Sequence, residues 1–151
     1  MNLDNRRSSV PDRRRVPRGG RRTADRPGQY PIVLVAESCA DVRRPLVRYL
    51  AAFHFRVVEA SDGNEMLKTI TGVRPHVVLT ESTLPHMPAW RLSQWLSNNV
   101  HTRQVPLIVF ADEADEPGNG GPPPACVLVK PFSLIHMLDE LRRVIRERQP
   151  A

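Results

Sequence analysis

Cysteine is scarce in this chain: Cys39 and Cys126 are the only two, and they lie far apart. They form no Cys-x-x-Cys pair and leave at most one disulfide, so neither a zinc ribbon nor the disulfide framework of a small secreted domain is available. The plainer reading is two free thiols in a reducing compartment. The histidines are His54, His76, His86, His101 and His136, and no two of them bracket a glutamate at helical spacing. That excludes the zinc-hydrolase motif. Long apolar runs are also missing, and none approaches the ~20 residues of a membrane-spanning helix. Met1 to Ser9 is polar, with Arg6 and Arg7 but no apolar stretch after them. It does not read as a secretory signal, so the expected location is the cytoplasm. A glycine-rich phosphate loop is lacking too. Glu37-Ser38-Cys39 stands after the first apolar run, where a dinucleotide-binding fold would put its glycines.

What remains is an ordinary globular composition. The chain has 151 residues, 40% of them hydrophobic and 25% charged, which is room for one domain of common size. The charge is unevenly placed. Residues 1–30 carry nine arginines against three aspartates, a net of +6, and the rest of the chain is balanced at thirteen against thirteen. The basic character therefore belongs to the first segment. Residues 1–29 are rich in Arg, Pro and Gly and have almost no apolar side chains to offset the entropy of ordering, so they read as a disordered arm. Two readings of the arm stay open. It is either a salt-sensitive contact for nucleic acid or another polyanion, or a solvated extension without a partner. No aromatic residue is interleaved among the arginines of residues 1–28, which argues against a stacking platform for single strands.

From Tyr30 onward the pattern changes. Pro31–Ala36, His76–Thr80 and Pro106–Phe110 are short, continuously apolar runs, as strands buried on both faces require. Phe55–Glu59 and Cys126–Val129 complete five predicted strands. Between them the spacing predicts helices over Asp41–Phe53, with Val42, Leu46, Tyr49, Leu50 and Phe53 inward, and over Gly63–Thr71 and Pro88–Asn98. A closing helix over Ser133–Arg148 has Ser133 as its cap. Trp95 is expected in the core. Alternating short strands and helices predict an α/β domain over residues 30–149. Its architecture is a doubly wound, flavodoxin-like parallel sheet in the order 2-1-3-4-5, with ligand chemistry at the carboxyl ends of the strands. One connection breaks the rhythm. Residues 111–125 hold an acidic turn, then glycines and three consecutive prolines, so the fourth helix is expected to be reduced or absent.

The landmarks resemble the response-regulator receiver domain (CheY-like) family over most of residues 30–149. They are Glu37-Ser38 with Asp41-Val42-Arg43 after the first strand, Ala60-Ser61-Asp62-Gly63, Pro75 to Pro85 around the third strand, Pro106 to Ala111, and Lys130-Pro131-Phe132. The resemblance implies a signalling module of a two-component phosphorelay rather than an enzyme. It also implies a phosphoacceptor at the position of Glu81, an acidic pocket at Glu37 and Ser38, a switch hydroxyl at Ala111, and a lysine at Lys130 followed by Pro131, a candidate for a cis peptide. The family's glycine beyond the third strand is matched by Ala89. Through the same resemblance the lysine amine is expected to neutralise Glu37 and Glu81, and the fourth helix, fifth strand and last helix are expected to form the output face.

The frame is kept and the chemistry is not. A glutamate carboxylate at residue 81 reaches about 1.5 Å further than an aspartate's, and misplacement of that size costs on the order of 10²-fold in an in-line displacement. Ser38 supplies no carboxylate to Mg²⁺, and Ala111 supplies no hydroxyl to a phosphoryl oxygen. The expectation is a pseudo-receiver without useful Mg²⁺ affinity. At most it holds the ion loosely through Glu37, Glu81 and the Thr83 carbonyl, and it acts through a protein partner rather than through normal phosphorylation. Two alternatives stand beside it: phosphorylation at or near Glu81, for example on Ser82, and a nucleic-acid-associated protein acting through the basic arm. Glu81 itself is either a fixed mimic of a phosphorylated side chain or drift at an abandoned site.

Overall fold

The computed structural model describes residues 30–113, 115 and 121–148. The arm assigned to residues 1–29 lies outside them, as does residue 149 at the end of the predicted domain. The described elements are β1 (Ile32–Ala36), α1 (Ala40–Ala52), β2 (Arg56–Ala60), α2 (Gly63–Val73), β3 (Val77–Glu81), α3 (Ala89–Ser97), β4 (Leu107–Ala111), β5 (Cys126–Val129) and α4 (Leu134–Arg148). All strand pairs are parallel, and the sheet runs β2-β1-β3-β4-β5. Among the described residues no helix stands between β4 and β5.

Period-two alternation sorts the strand side chains onto two faces. Val33, Val35, Val77, Leu79, Ile108, Phe110 and Leu128 face one layer, where Leu46 and Leu50 of α1 and Met137, Leu138 and Leu141 of α4 cover them. Leu34, Ala36, Val78, Leu107 and Val109 face the other, under Met66 and Ile70 of α2 and Leu92 and Leu96 of α3. Each strand of the interior is thus apolar on both sides, which is why the sequence shows runs rather than alternation.

Helix ends follow side-chain chemistry. Asp62 Oδ1 accepts from the Glu65 N–H at 2.9 Å, while Glu65 Oε1 reaches back to the Ser61 N–H at 2.6 Å, a reciprocal cap for α2. Ser133 Oγ accepts from the His136 N–H at 3.0 Å and caps α4, as predicted. Gly63 opens α2 against the β3–α3 loop, where its N–H donates to the Pro85 carbonyl at 2.7 Å.

Several boundaries differ from the sequence reading. β2, β3 and β4 each sit one residue later than predicted, so Glu81 and Ala111 are the last residues of their strands. Of the residues expected inward on the first helix, Val42 and Phe53 are exposed, and the buried stripe of α1 is confined to Leu46 and Leu50. Phe53 falls past the last turn of α1. There its ring meets Tyr49, with centroids 4.9 Å apart, and the Arg142 guanidinium lies 5.5 Å from its centroid. Trp95 is partly buried and packs on the second face, whereas Trp90 is exposed.

Candidate functional site

The carboxyl ends of β1, β3, β4 and β5 bring Glu37, Ser38, Glu81, Ala111 and Lys130 to one edge of the sheet. Glu37 follows β1 and is only 2% exposed; Glu81 ends β3 and is 9% exposed. The loop entering α1 holds both. The Ser38 N–H donates to Glu81 Oε1 at 2.7 Å, and the Cys39 N–H donates to Glu37 Oε2 at 3.0 Å. Arg43, one turn into α1, ties the same loop down. Its Nη1 donates to the Glu37 carbonyl at 2.6 Å, and its Nε pairs with Glu59 of β2 at 2.9 Å.

Glu37 Oε1 is buried and has no hydrogen-bond donor. Its neighbour is the Glu81 carboxylate, which can close a bond to it only when a proton is held between the two. Burial pushes the Glu37 carboxyl above the usual carboxylate range. The Glu81 charge adds to this, while the Cys39 N–H and the Lys130 charge oppose it.

Lys130 follows β5 at the same edge. Among the described residues it makes no ion pair with Glu37 or Glu81. Its Nζ lies 5.9 Å from the centroid of Phe110, the β4 residue in register with Glu81. It acts on Glu37 as a charge at longer range. The Lys130–Pro131 peptide bond is cis. Ala111 ends β4, and its carbonyl accepts from the Lys130 N–H at 2.8 Å.

A residue that sequence reasoning did not single out completes the edge. Ser82 Oγ donates to Asp115 Oδ2 at 2.6 Å, and the Asp112 N–H donates to the same oxygen at 2.8 Å. These bonds, the serine hydroxyl first and then the Asp112 N–H, hold the Asp115 carboxyl below its usual range, and the Lys130 charge helps. Asp115 therefore lays a carboxylate beside the residue that follows Glu81. The only sequence signal was an acidic run, which did not say which carboxylate turns back; Asp112, nearer to Ala111 in the chain, stays exposed.

Magnesium asks for several hard oxygens in near-octahedral array at about 2.0–2.1 Å. The ligand set implied by the fold does not fit here. Glu37 and Glu81 each spend one oxygen on a backbone N–H, and Ser38 brings no carboxylate. Among the described residues no group of three His, Cys, Asp or Glu side chains is gathered that could hold a metal ion. No described helix is long and apolar enough to cross a membrane.

Comparison with known proteins agrees with the topology. No family model matches the chain. In sequence it is similar to a hybrid signal transduction histidine kinase of Dictyostelium discoideum, 28% identical over 86 residues, which is 57% of this chain and 6% of that protein. It is also similar to a probable transcriptional regulator of Guillardia theta, 27% identical over 119 residues, which is 79% of this chain and 47% of that protein. The chain thus spans about half or less of the length of the curated relatives it matches. Among solved structures it superposes on the signal receiver domain of a histidine kinase from Syntrophus aciditrophicus, with a TM-score of 0.71 at 16% identity, covering 80% of this chain and 94% of that one. It also superposes on a chemotaxis response regulator of Vibrio cholerae, with a TM-score of 0.66 at 21% identity, covering 76% and 98%. The described domain has the receiver fold of the response regulators.

Proposed function

We propose that this domain is a receiver that has left phosphoryl transfer behind and works in signal transduction through contacts with a partner protein. The observation that carries the reading is the environment of Glu81. Where a phosphoryl group would have to arrive, the edge presents the Glu37 and Glu81 carboxylates, with Asp115 beside Ser82. An incoming phosphate meets like charge, and no metal ligand set is assembled to offset it. At the end of β4, Ala111 offers no hydroxyl to a phosphoryl oxygen.

Phosphorylation on Ser82 is the less favoured reading, because its hydroxyl is already donated to Asp115. On the reading preferred here, Glu81 is a fixed charge held by the α1 loop, and the protein makes no covalent intermediate. The relatives, a histidine kinase and a probable transcriptional regulator, support a place in a signalling chain.

Affinity capture with the full chain, and with the chain lacking residues 1–28, tests the reading. Protein partners held equally by both forms are expected. Salt-dependent DNA binding that disappears with residues 1–28, with no protein partner kept, contradicts it and favours the basic arm.

A further inference from the structure

The end of the sheet away from Glu37 and Glu81 is built from different side chains. In a parallel sheet every strand starts at the same end. There the chain enters β2, β3 and β4 through residues 53–55, 74–76 and 98–106, which contain no Asp or Glu. They carry Arg74, Arg103, His54, His76 and His101 instead. The strand exits hold Glu37, Glu81, Asp112 and Glu113, with Asp115 beyond them.

A cleft of about 230 Å³ opens at the acid-free end, between the end of α2 and the connection from α3 to β4. β3 and β4 are neighbours, and α2 and α3 cover the same face, so the two connections meet there. Ile70, Pro75 and Val105 give the cleft apolar lining, and Arg74, Asn99 and His101 give it polar lining. Its volume is below the roughly 300–1,000 Å³ of sites for drug-sized ligands, so its occupant is small.

The hydrogen bonding of the lining favours an anion. Thr71 and Thr102 also face the cleft, but their hydroxyls are already donated, to the Leu67 carbonyl at 3.1 Å and the Leu96 carbonyl at 2.9 Å. Asn99 Oδ1 accepts from the His101 N–H at 3.0 Å, which leaves the amide NH2 to donate. Among the described residues the Arg74 guanidinium makes no hydrogen bond or ion pair. Helix-end carbonyls that would repel an anion are occupied, that of Ile70 by the Arg74 N–H at 3.0 Å and that of Leu96 by Thr102. Arg74 caps α2 at φ 59° and ψ 70°, a left-handed position where glycine would be unstrained. A cation at a helix C-terminus alone would account for its charge. The cleft beside it, with donors from a second connection, is what points to a ligand.

We propose that this cleft binds a small phosphate monoester. The phosphate would pair with Arg74, with Asn99 and His101 as further donors, and the organic body would lie on Ile70, Pro75 and Val105. Three donor groups suit the three terminal oxygens of a phosphate better than the two of a carboxylate. The site lies at the opposite end of the sheet from Glu81, and it stands whether or not the domain works through a partner protein.

The test is a titration of the full chain, in magnesium-free buffer, with phenyl phosphate, benzoate and benzyl alcohol, read by methyl NMR. Phenyl phosphate is expected to shift the Ile70 and Val105 methyl signals saturably and to bind at least about five-fold tighter than benzoate, with no saturable shift from benzyl alcohol. Arg74→Gly suits the left-handed backbone, and it should weaken phenyl phosphate at least about ten-fold. Unchanged Val33 and Leu79 methyl shifts certify that this variant is folded. Arg74→Lys should keep part of the affinity, since it keeps the charge without the fork. The proposal is overturned by the lack of a saturable shift at Ile70 and Val105, by benzoate binding as tightly as phenyl phosphate, or by unchanged affinity in Arg74→Gly. Phenyl phosphate shifts confined to the Glu37–Glu81 edge overturn it too.

Discussion

The Ser38 N–H holds Glu81 Oε1 at 2.7 Å, across the gap between the α1 loop and the end of β3. The bond joins two of the positions at which this chain departs from the pattern that the resemblance implies, one lacking a carboxylate and the other carrying a longer one. On the proposed reading, Glu81 Oε1 is committed to the scaffold rather than to in-line attack on phosphorus.

The buried Glu37 carboxyl makes stability depend on pH in an unusual direction. The folded-state pKa of Glu37 is raised above its ordinary value of 4.5, mainly by burial. Its contribution is therefore fully present below that value and is lost as pH rises through the folded pKa. Glu37→Gln keeps the shape and removes the titration. The native chain is expected to gain stability relative to Glu37→Gln as pH falls from neutral toward 4.5. Urea unfolding at several pH values measures the difference, and parallel curves for the two proteins would contradict it.

Asp115 is expected to pin the start of the β4–β5 connection through Ser82 and Asp112. Asp115→Asn weakens both charge-assisted bonds. Amide exchange at Asp112 should then quicken several-fold while exchange in β3 and β4 stays unchanged. Unaltered exchange at Asp112 would show that the carboxylate does not hold this turn.

Gly63 is a glycine whose missing side chain the fold requires. A Cβ there would run into Met87 Cβ and stand 2.8 Å from the Met87 nitrogen, where α2 starts beneath the β3–α3 loop. Gly63→Ala is expected to destabilise the domain by about 1–3 kcal/mol, as overpacking does. Chemical denaturation reads it, and a neutral result would mean the loop gives way freely.

Much of this fold was legible in the sequence, and the reasons are physical. Runs such as Ile32–Ala36 cannot face water on either side, so they announce a parallel sheet covered on both faces. Asp62 and Ser133 announce helix starts because their oxygens have no better use than a free N–H. Glu37, Glu81 and Lys130 were legible as positions, since strand ends place them together. Their contacts were not. Whether an amine reaches a carboxylate or rests over Phe110 depends on side-chain packing that spacing does not encode. Asp115 was hidden because an acidic run without periodicity gives no sign of which member turns inward. Val42 misled because α1 buries a narrower stripe than its apolar residues suggest.

A titration with Mg²⁺ addresses the ligand set alone. With Glu37 and Glu81 each bonded to the loop and, among the described residues, no group of three acids gathered there to hold a metal ion, no saturable change in Trp90 and Trp95 fluorescence is expected in the millimolar range. A saturable response lost in Glu81→Gln would show that the two carboxylates suffice to hold the ion.

The most direct measurement of the central claim is the intact mass of the protein after incubation with acetyl phosphate and Mg²⁺. Glu81 bound to the loop, an alanine at the end of β4 and a carboxylate on Ser82 together predict no added phosphoryl group. A phosphoryl adduct that disappears in Glu81→Gln, or in Ser82→Ala, would contradict the account and return the domain to the phosphorelay.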